Sequence, residues 1–317
     1  MARHTVPDFI ERVDPQPAPV RPTALSLVLS LRPSQWTKNL IIFGGLIFGQ
    51  RLLDMSAVLH ALAAFVIFCA LSGVVYLIND VADREADRRH PAKKHRPIAS
   101  GAVTVPAALT LAIGLGAVAL AAAFWLSSLF GIVAASYLAL LALYSGVLKH
   151  IVILDVLTIA TGFVLRAVAG AIAVDVPISH WLYLVTILGA LFLALSKRRH
   201  ELVLLADGAT RHRRILEEYS PYLLDQMIAV VTASTIVAYA FYTMSPETVQ
   251  KFGTDRLMLT LPFPLYGIFR YLYLVHQKEG GGSPSDMLLN DRPLLACVAI
   301  WAMSVAAIIY GTTLTHG

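Results

Sequence analysis

Residues 79–101 read NDVADREADRRHPAKKHRPIASG and lie between two apolar runs, 56–78 and 103–126. Each run is close to the roughly 20 residues that a helix needs to cross a bilayer. A short charged connection between two such runs points to an all-α polytopic membrane protein. Within the stretch stand Asn79, Asp80, Asp83 and Asp87, followed by Arg88, Arg89, Lys93, Lys94 and Arg96. On a helix, Asn79, Asp83 and Asp87 fall about 40° apart in succession, so they share a face, and Asp80 can join them. Carboxylates stacked in this way repel one another unless a cation sits between them. Hard oxygen ligands suit Mg²⁺, which typically bridges one or two carboxylates to substrate phosphates. A plain solvated loop between two membrane helices is the competing reading. Regular acidic spacing followed by a basic block makes the stretch the active-site candidate.

Composition agrees with a membrane protein. The chain of 317 residues is 57% hydrophobic and only 14% charged, where soluble domains carry about 25%. Its mean hydropathy is +0.69. The net charge of +5 calls for no nucleic-acid partner, because cytoplasmic loops rich in Lys and Arg account for it. Cys69 and Cys297 both lie in apolar runs and read as packing residues rather than as a disulfide or metal framework.

Residues 1–23 are polar and rich in proline, with no apolar core of a cleavable signal, and read as a flexible cytosolic tail. The remainder, 24–317, reads as one membrane catalytic domain with nine spanning helices: 33–50, 56–80, 103–126, 129–147, 151–173, 180–196, 221–243, 257–275 and 293–314. Basic residues concentrate in the connections on one side, including Lys149 and the 197–220 and 276–292 segments. Arg51, Lys251 and Arg256 are the basic residues of the opposite connections. The positive-inside rule then puts the amino terminus and the 79–101 stretch in the cytosol and the carboxyl terminus outside. Small-residue helix faces would permit homo-oligomeric association.

Four polar clusters meet at the cytosolic helix ends. They are Arg32, Gln35, Lys38 and Asn39; the 79–101 stretch; Tyr144, Lys149 and His150; and Lys197, Arg198, Arg199, His200 and Glu201. Any single basic cluster is explained by side chains snorkelling to lipid headgroups, and Arg199, His200, Arg211, Arg213 and Arg214 fit that reading. Lys197 and Glu201, four apart, fit a helical pair. Together, one acidic set and several cationic ones on a single membrane face describe a polyanion site. Acidic residues would hold Mg²⁺, the metal a diphosphate, and Lys or Arg the remaining phosphate charge. Arg166 stands apart, deep within the fifth helix, where pairing and substrate binding are equally open.

The combination of NDxxDxxxD (Asn79, Asp80, Asp83, Asp87) after the second helix with RPIASG (96–101) resembles the UbiA-type intramembrane prenyltransferase superfamily. The likeness runs from about residue 25 to the end of the chain and implies a helical bundle around a cytoplasm-facing site. Members of that superfamily carry a second aspartate motif, DxxxD, at the end of the sixth helix. Here the position reads SKRRHEL, with Glu201 its one acidic residue. With RPSQWTKN, LKH and LRAVAG, the chain looks like the decaprenyl-phosphate phosphoribosyltransferase branch.

That branch implies transfer of 5-phosphoribose from phosphoribosyl pyrophosphate to a polyprenyl (decaprenyl) monophosphate, with release of diphosphate and inversion at C1. Its product feeds arabinan-precursor synthesis for the cell wall. On this resemblance Asp83 and Asp87 hold Mg²⁺, with Asn79 and Asp80 completing or orienting the set. Lys38, Arg96, Lys149, Lys197 and Arg198 are the phosphate-binding candidates, and Glu201 touches ribose hydroxyls or orients Lys197. Membrane lipids surround the bundle. A prenyl diphosphate donor would call for the missing DxxxD, and a lipid-substrate transporter would leave NDxxDxxxD without a purpose.

Overall fold

The computed structural model describes residues 23–90, 93–178, 180–206, 215, 218–277 and 284–315. The tail assigned to 1–23 therefore lies outside the described residues except for Thr23, and so do Arg211, Arg213 and Arg214. Among the described residues every regular element is helical.

Helix α1 (Thr23–Ser30) leads into a 3₁₀ helix, Pro33–Phe43, that continues as α2 (Gly44–Phe48). The long α3 (Met55–Ala82) is followed by the short α4 (Arg84–Arg89) and α5 (Pro97–Ser100). Then come α6 (Val105–Leu126), α7 (Ser128–Gly146), α8 (Leu154–Ala173) and α9 (His180–Ala206). The chain closes with α10 (Pro221–Met244), α11 (Pro246–Phe252), α12 (Pro262–Gln277), α13 (Pro284–Asn290) and α14 (Arg292–Thr315).

Local chemistry sets these boundaries. Asp54 caps α3 by accepting from the Ser56 and Ala57 N–H groups at 2.9 and 3.3 Å. Thr104, Ser127, Ser220 and Ser245 do the same for α6, α7, α10 and α11. In α6, α10 and α11 a proline stands in the first turn, where no backbone N–H is missed. At the end of α5, Gly101 takes the left-handed conformation (φ 86°) that glycine adopts without penalty.

Seven helices among the described residues are long and apolar enough to cross a membrane: α3, α6, α7, α8, α10, the Arg256–Gln277 segment and α14. Their outward faces are apolar, with Val66, Trp125, Ile113 and Val230 largely exposed. Lipid, not water, is the solvent such a surface suits. The inner faces use small residues. In α6 these are Ala108, Ala112, Gly116, Ala119 and Ala123, at spacings of three or four, and they let α6 lie close to α3.

The remaining two expected spans are not among those seven. Residues 180–196 fall in α9, which runs on to Ala206. Residues 33–50 are wound differently from the ordinary helix expected. Their 11-residue 3₁₀ stretch rises about 2.0 Å per residue, so Pro33 to Phe48 reaches about 30 Å where an α-helix would reach about 24 Å. Side chains three apart eclipse in a 3₁₀ helix. Asn39 and Ile42 accordingly form one buried row, while Lys38, Ile41 and Gly44 form another that lines a cavity.

That stretch lies unusually close to α8. A Cβ on Gly170 would come 2.1 Å from the Ile42 carbonyl oxygen, and one on Gly45 would come 2.9 Å from Ala171 Cα. Both glycines are therefore required by backbone contact. The crossing places α8 at the centre of the bundle, against α2, α3, α7 and α9. Between these helices and α10, α12 and α14 lies a cavity of about 1480 Å³.

Candidate active site

One end of the cavity is polar. Arg32, Lys38, Asn79, Asp83, Lys93 and Arg96 line it from the α1–α5 side; Tyr144, Lys197, Arg198 and Glu201 line it from α7 and α9. Around Arg166 the wall is mainly apolar and aromatic, with Ile159, Phe163, Leu193 and Ile268, and farther on Tyr239 and Trp301 line it together with His180, Glu247 and Lys251.

The acidic stretch is built at a break in α3. Asp83 ends α3 and precedes α4, with φ −91° and ψ 4°. Backbone N–H donation from Asp83 to Asn79 O and from Asp87 to Asp83 O, both 2.8 Å, carries the four-residue stack across the break. The four side chains nevertheless part company. Asn79 and Asp83 line the cavity, whereas Asp80 and Asp87 are buried outside its lining.

Each carboxylate meets a cation from a distant element. Lys149 Nζ donates to Asp83 Oδ1 at 2.6 Å. Arg96 Nη1 spans Asp87 Oδ2 at 2.6 Å and Asp80 Oδ1 at 3.2 Å. Arg32 also donates to Asp80, from a residue whose φ of 53° is unusual for a side chain of this size. Lys149 itself is buried and stands behind Asp83, outside the cavity lining. The carboxylates expected to repel one another are thus separated by arginine and lysine rather than stacked bare.

The α9 end has its own network. Arg198 is 2% exposed, and its Nε donates to Asp155 Oδ2 at 2.6 Å. Its Nη1 donates to Glu201 at 2.5 Å and its Nη2 to the Tyr144 hydroxyl at 3.3 Å. Lys197 Nζ lies 3.9 Å from Glu201, as the four-residue spacing anticipates. Asp155 also accepts from the Tyr219 hydroxyl at 2.8 Å, and that hydroxyl accepts from the Ile153 N–H at 2.7 Å. Burial pushes the Tyr219 phenol up to about 12, so it stays a proton donor at neutral pH. Ile153 has φ 68°, a strained value for a β-branched residue, in the connection that carries Lys149.

Arg32, Arg96, Lys149, Lys197 and Arg198 therefore face Asp80, Asp83, Asp87, Asp155 and Glu201, five cations to five carboxylates. Sequence reasoning counted Arg32 among the polar clusters of the site without an individual role, and it gave Asp155 none. For Asp155 the available signal was an acidic residue in the first turn of an apolar helix, which needs a partner when buried.

Among the described residues no three His, Cys, Asp or Glu side chains form a ready-made metal cage. The arrangement still fits one metal of the substrate-bridging kind. Mg²⁺ keeps several waters and takes one or two carboxylates plus phosphate oxygens, and Asp83 with Asn79 presents hard oxygen donors to the cavity.

Comparisons with known proteins agree with this geometry. The sequence signature of the UbiA prenyltransferase family matches residues 40–290. The chain is 33% identical over 315 residues to the decaprenyl-phosphate phosphoribosyltransferase of Mycolicibacterium smegmatis, covering 95% of this chain and 97% of that one. It is 33% identical over 292 residues to the protein of the same name in Mycobacterium tuberculosis H37Rv, covering 90% and 95%. In fold it resembles a UbiA homologue from Archaeoglobus fulgidus solved with GPP and Mg²⁺. The TM-score is 0.69 at 18% identity, over 90% of this chain and 99% of that one.

Proposed function

The chain belongs to the UbiA prenyltransferase family, and from that premise we propose that it transfers 5-phosphoribose from phosphoribosyl pyrophosphate to a polyprenyl monophosphate such as decaprenyl phosphate. The carrying observation is the composition of the α9 end. Where the prenyl-transferring pattern calls for a second carboxylate pair, Lys197, Arg198 and Glu201 line the cavity. Relatives named for this reaction, at 33% identity over most of the chain, support the reading.

The residues divide the work as follows. Asp83, with Asn79 beside it, would hold Mg²⁺ against the donor diphosphate, and Asp87 and Asp80 position Arg96 and Arg32 around it. When bound, the metal supplies Lewis-acid stabilisation of charge on the departing diphosphate. Lys149, behind Asp83, would serve a phosphate oxygen by moving from that carboxylate into the cavity when a substrate arrives. Lys38, Arg96 and Lys197 face the cavity as further phosphate partners. Arg198 is anchored on Asp155, and with it Glu201 is positioned for ribose hydroxyls.

The acceptor oxygen is already anionic, so the reaction needs no strong general base. The C1–O bond to diphosphate breaks, an oxocarbenium-like centre develops, and the acceptor phosphate attacks from the opposite face, inverting C1. The apolar part of the cavity encloses the lipid chain. The polar end faces the cytosol in a bundle of nine spans that includes 33–48 and α9, and the product enters cell-wall arabinan synthesis.

A pyrophosphate-release assay with purified protein, Mg²⁺, phosphoribosyl pyrophosphate and decaprenyl phosphate tests this. Release that depends on both substrates is the expected result. Turnover of geranylgeranyl diphosphate without any use of phosphoribosyl pyrophosphate would replace the proposal with prenyl transfer.

A further inference from the structure

Arg166 differs from Arg32, Arg96, Lys149, Lys197 and Arg198, each of which meets a carboxylate. It is 6% exposed, it lines the cavity, and no carboxylate among the described residues lies within ion-pairing distance of it. Its Nε donates to Asn39 Oδ1 at 2.7 Å, its Nη1 to the Gly162 carbonyl at 3.0 Å and its Nη2 to the Tyr137 hydroxyl at 2.6 Å. The guanidinium also lies against the Tyr137 and Phe163 rings, 4.7 and 5.1 Å from their centroids. These contacts hold the group rigidly and leave its charge uncancelled.

The neutral partners are themselves engaged. The Ser72 hydroxyl donates to Asn39 Oδ1 at 3.3 Å, Asn39 Nδ2 donates to Cys69 Sγ at 3.3 Å, and Ser72 and Tyr137 share a hydrogen bond of 3.2 Å. A guanidinium carries five N–H groups, and these three bonds leave one on each Nη. Two remaining N–H donors on one planar group can serve the oxygens of a phosphate. An uncompensated cation inside a membrane protein is costly and marks a bound anion or pathway.

Depth identifies the anion. Arginine side chains on a helix lean toward its amino-terminal end, and this one bonds back to Gly162. Gly162 is eight residues, about 12 Å, below the start of α8, where Asp155 meets Arg198. Arg166 is thus roughly two turns below the polar mouth, and the cavity wall beside it carries Phe163, Leu141 and the ring of Tyr76. A soluble sugar phosphate needs several polar partners around its hydroxyls, and beyond Tyr76 this stretch of wall is mainly apolar. A phosphate at the head of a long apolar chain needs one cation backed by an apolar wall.

We propose that Arg166 binds the phosphate of the lipid acceptor, setting it below the donor held at Asp83. The assignment rests on the proposed reaction and names the acceptor's anchoring residue within it.

Full-length protein in detergent is assayed as wild type, as Arg166→Lys and as Asn39→Asp. The second variant is nearly isosteric and supplies a carboxylate that neutralises Arg166 in place. Both variants should raise KM for decaprenyl phosphate about 10- to 100-fold, the worth of one charge-assisted bidentate contact, with KM for phosphoribosyl pyrophosphate unchanged. A rise confined to the donor KM, or a fall in kcat alone, overturns the assignment, as does an unchanged acceptor KM in Asn39→Asp.

Melting temperature provides a reading independent of turnover. Decaprenyl phosphate should raise Tm of the wild type and decaprenol should not, and Arg166→Lys should lose that shift. Equal shifts with phosphate and alcohol in the wild type overturn the assignment even if Arg166→Lys does not fold. Absence of phosphoribosyl transfer by the wild type, with the phosphate-specific shift intact, would sink the proposed reaction and leave the anchoring role standing.

Discussion

Lys149 Nζ sits 2.6 Å from Asp83 Oδ1, joining the turn after α7 to the end of α3 across 66 residues of chain. Asp83 is the one member of the acidic trio Asp80, Asp83 and Asp87 that lines the cavity. Its cation is a single flexible ammonium, whereas Asp80 and Asp87 are tied by guanidinium groups. Lysine's point charge on a mobile stem exchanges partners more readily than a planar arginine fork. Asp83 is therefore the carboxylate most easily released for a metal.

Asp83→Asn should lower kcat/KM for phosphoribosyl pyrophosphate by about 100-fold or more, because several kcal/mol of charge stabilisation depend on the metal ligand. Steady-state pyrophosphate release across a Mg²⁺ series reads this directly. Full activity at ordinary Mg²⁺ concentrations in Asp83→Asn would remove the residue from the site.

Asp80 has a different role. It is 3% exposed and shared by Arg32 and Arg96, so Asp80→Asn leaves two guanidinium groups without their common partner. Loss of one member of such a buried network costs about 3 kcal/mol. Unfolding in a denaturant series should show that loss for Asp80→Asn, and an unchanged unfolding midpoint would contradict this structural role.

At Gly170 the backbone of α8 touches that of the 3₁₀ stretch. In Gly170→Ala the new methyl would stand 2.1 Å from the Ile42 carbonyl oxygen, and overpacking of this kind costs about 1–3 kcal/mol or more. The two elements must separate, and the Arg166–Asn39 bond crosses the same interface. Reduced Tm together with weakened acceptor binding is expected. A wild-type Tm would show that the crossing is looser than described.

Asp291, before α14, is held below the usual carboxylate range by its hydrogen bonds from Arg270, with the Leu294 N–H adding to the effect. A carboxylate depressed by folding stabilises the fold above its unfolded pKa of about 3.9, and that stabilisation is lost as pH falls through the folded value. The difference in Tm between wild type and Asp291→Asn should therefore be constant from about pH 5 to 8 and vanish in stronger acid. A difference that grew on acidification would reverse the sign of this argument.

Much of the fold was legible because it is written locally. Apolar runs placed α3, α6, α7, α8, α10 and α14 within three residues of their observed bounds. The 3₁₀ winding of 33–43 was not legible, since nothing in RPSQWTKNLIIF distinguishes it from an α-helix. It goes with the close contacts of Ile42 with Gly170 and of Gly45 with Ala171 across the interface with α8. Spacing alone stacked Asn79, Asp83 and Asp87, and their backbones are stacked; which side chain reaches the cavity depended on Arg96 and Lys149.

The chain by itself determined that it lives in a membrane, where its helices lie, and that its acidic and basic residues gather at one end. Those properties follow from hydrophobic runs and helix caps, which act over a few turns. Only the tertiary structure decided which charge answers which. Arg32 finds Asp80 from 48 residues away, Arg198 finds Asp155 from 43, and Arg166 finds Asn39 from 127. In a low-dielectric interior each cation must settle on a partner within hydrogen-bonding reach, and that reach is set by how the helices pack. The same packing left Arg166 facing the cavity with its charge unanswered.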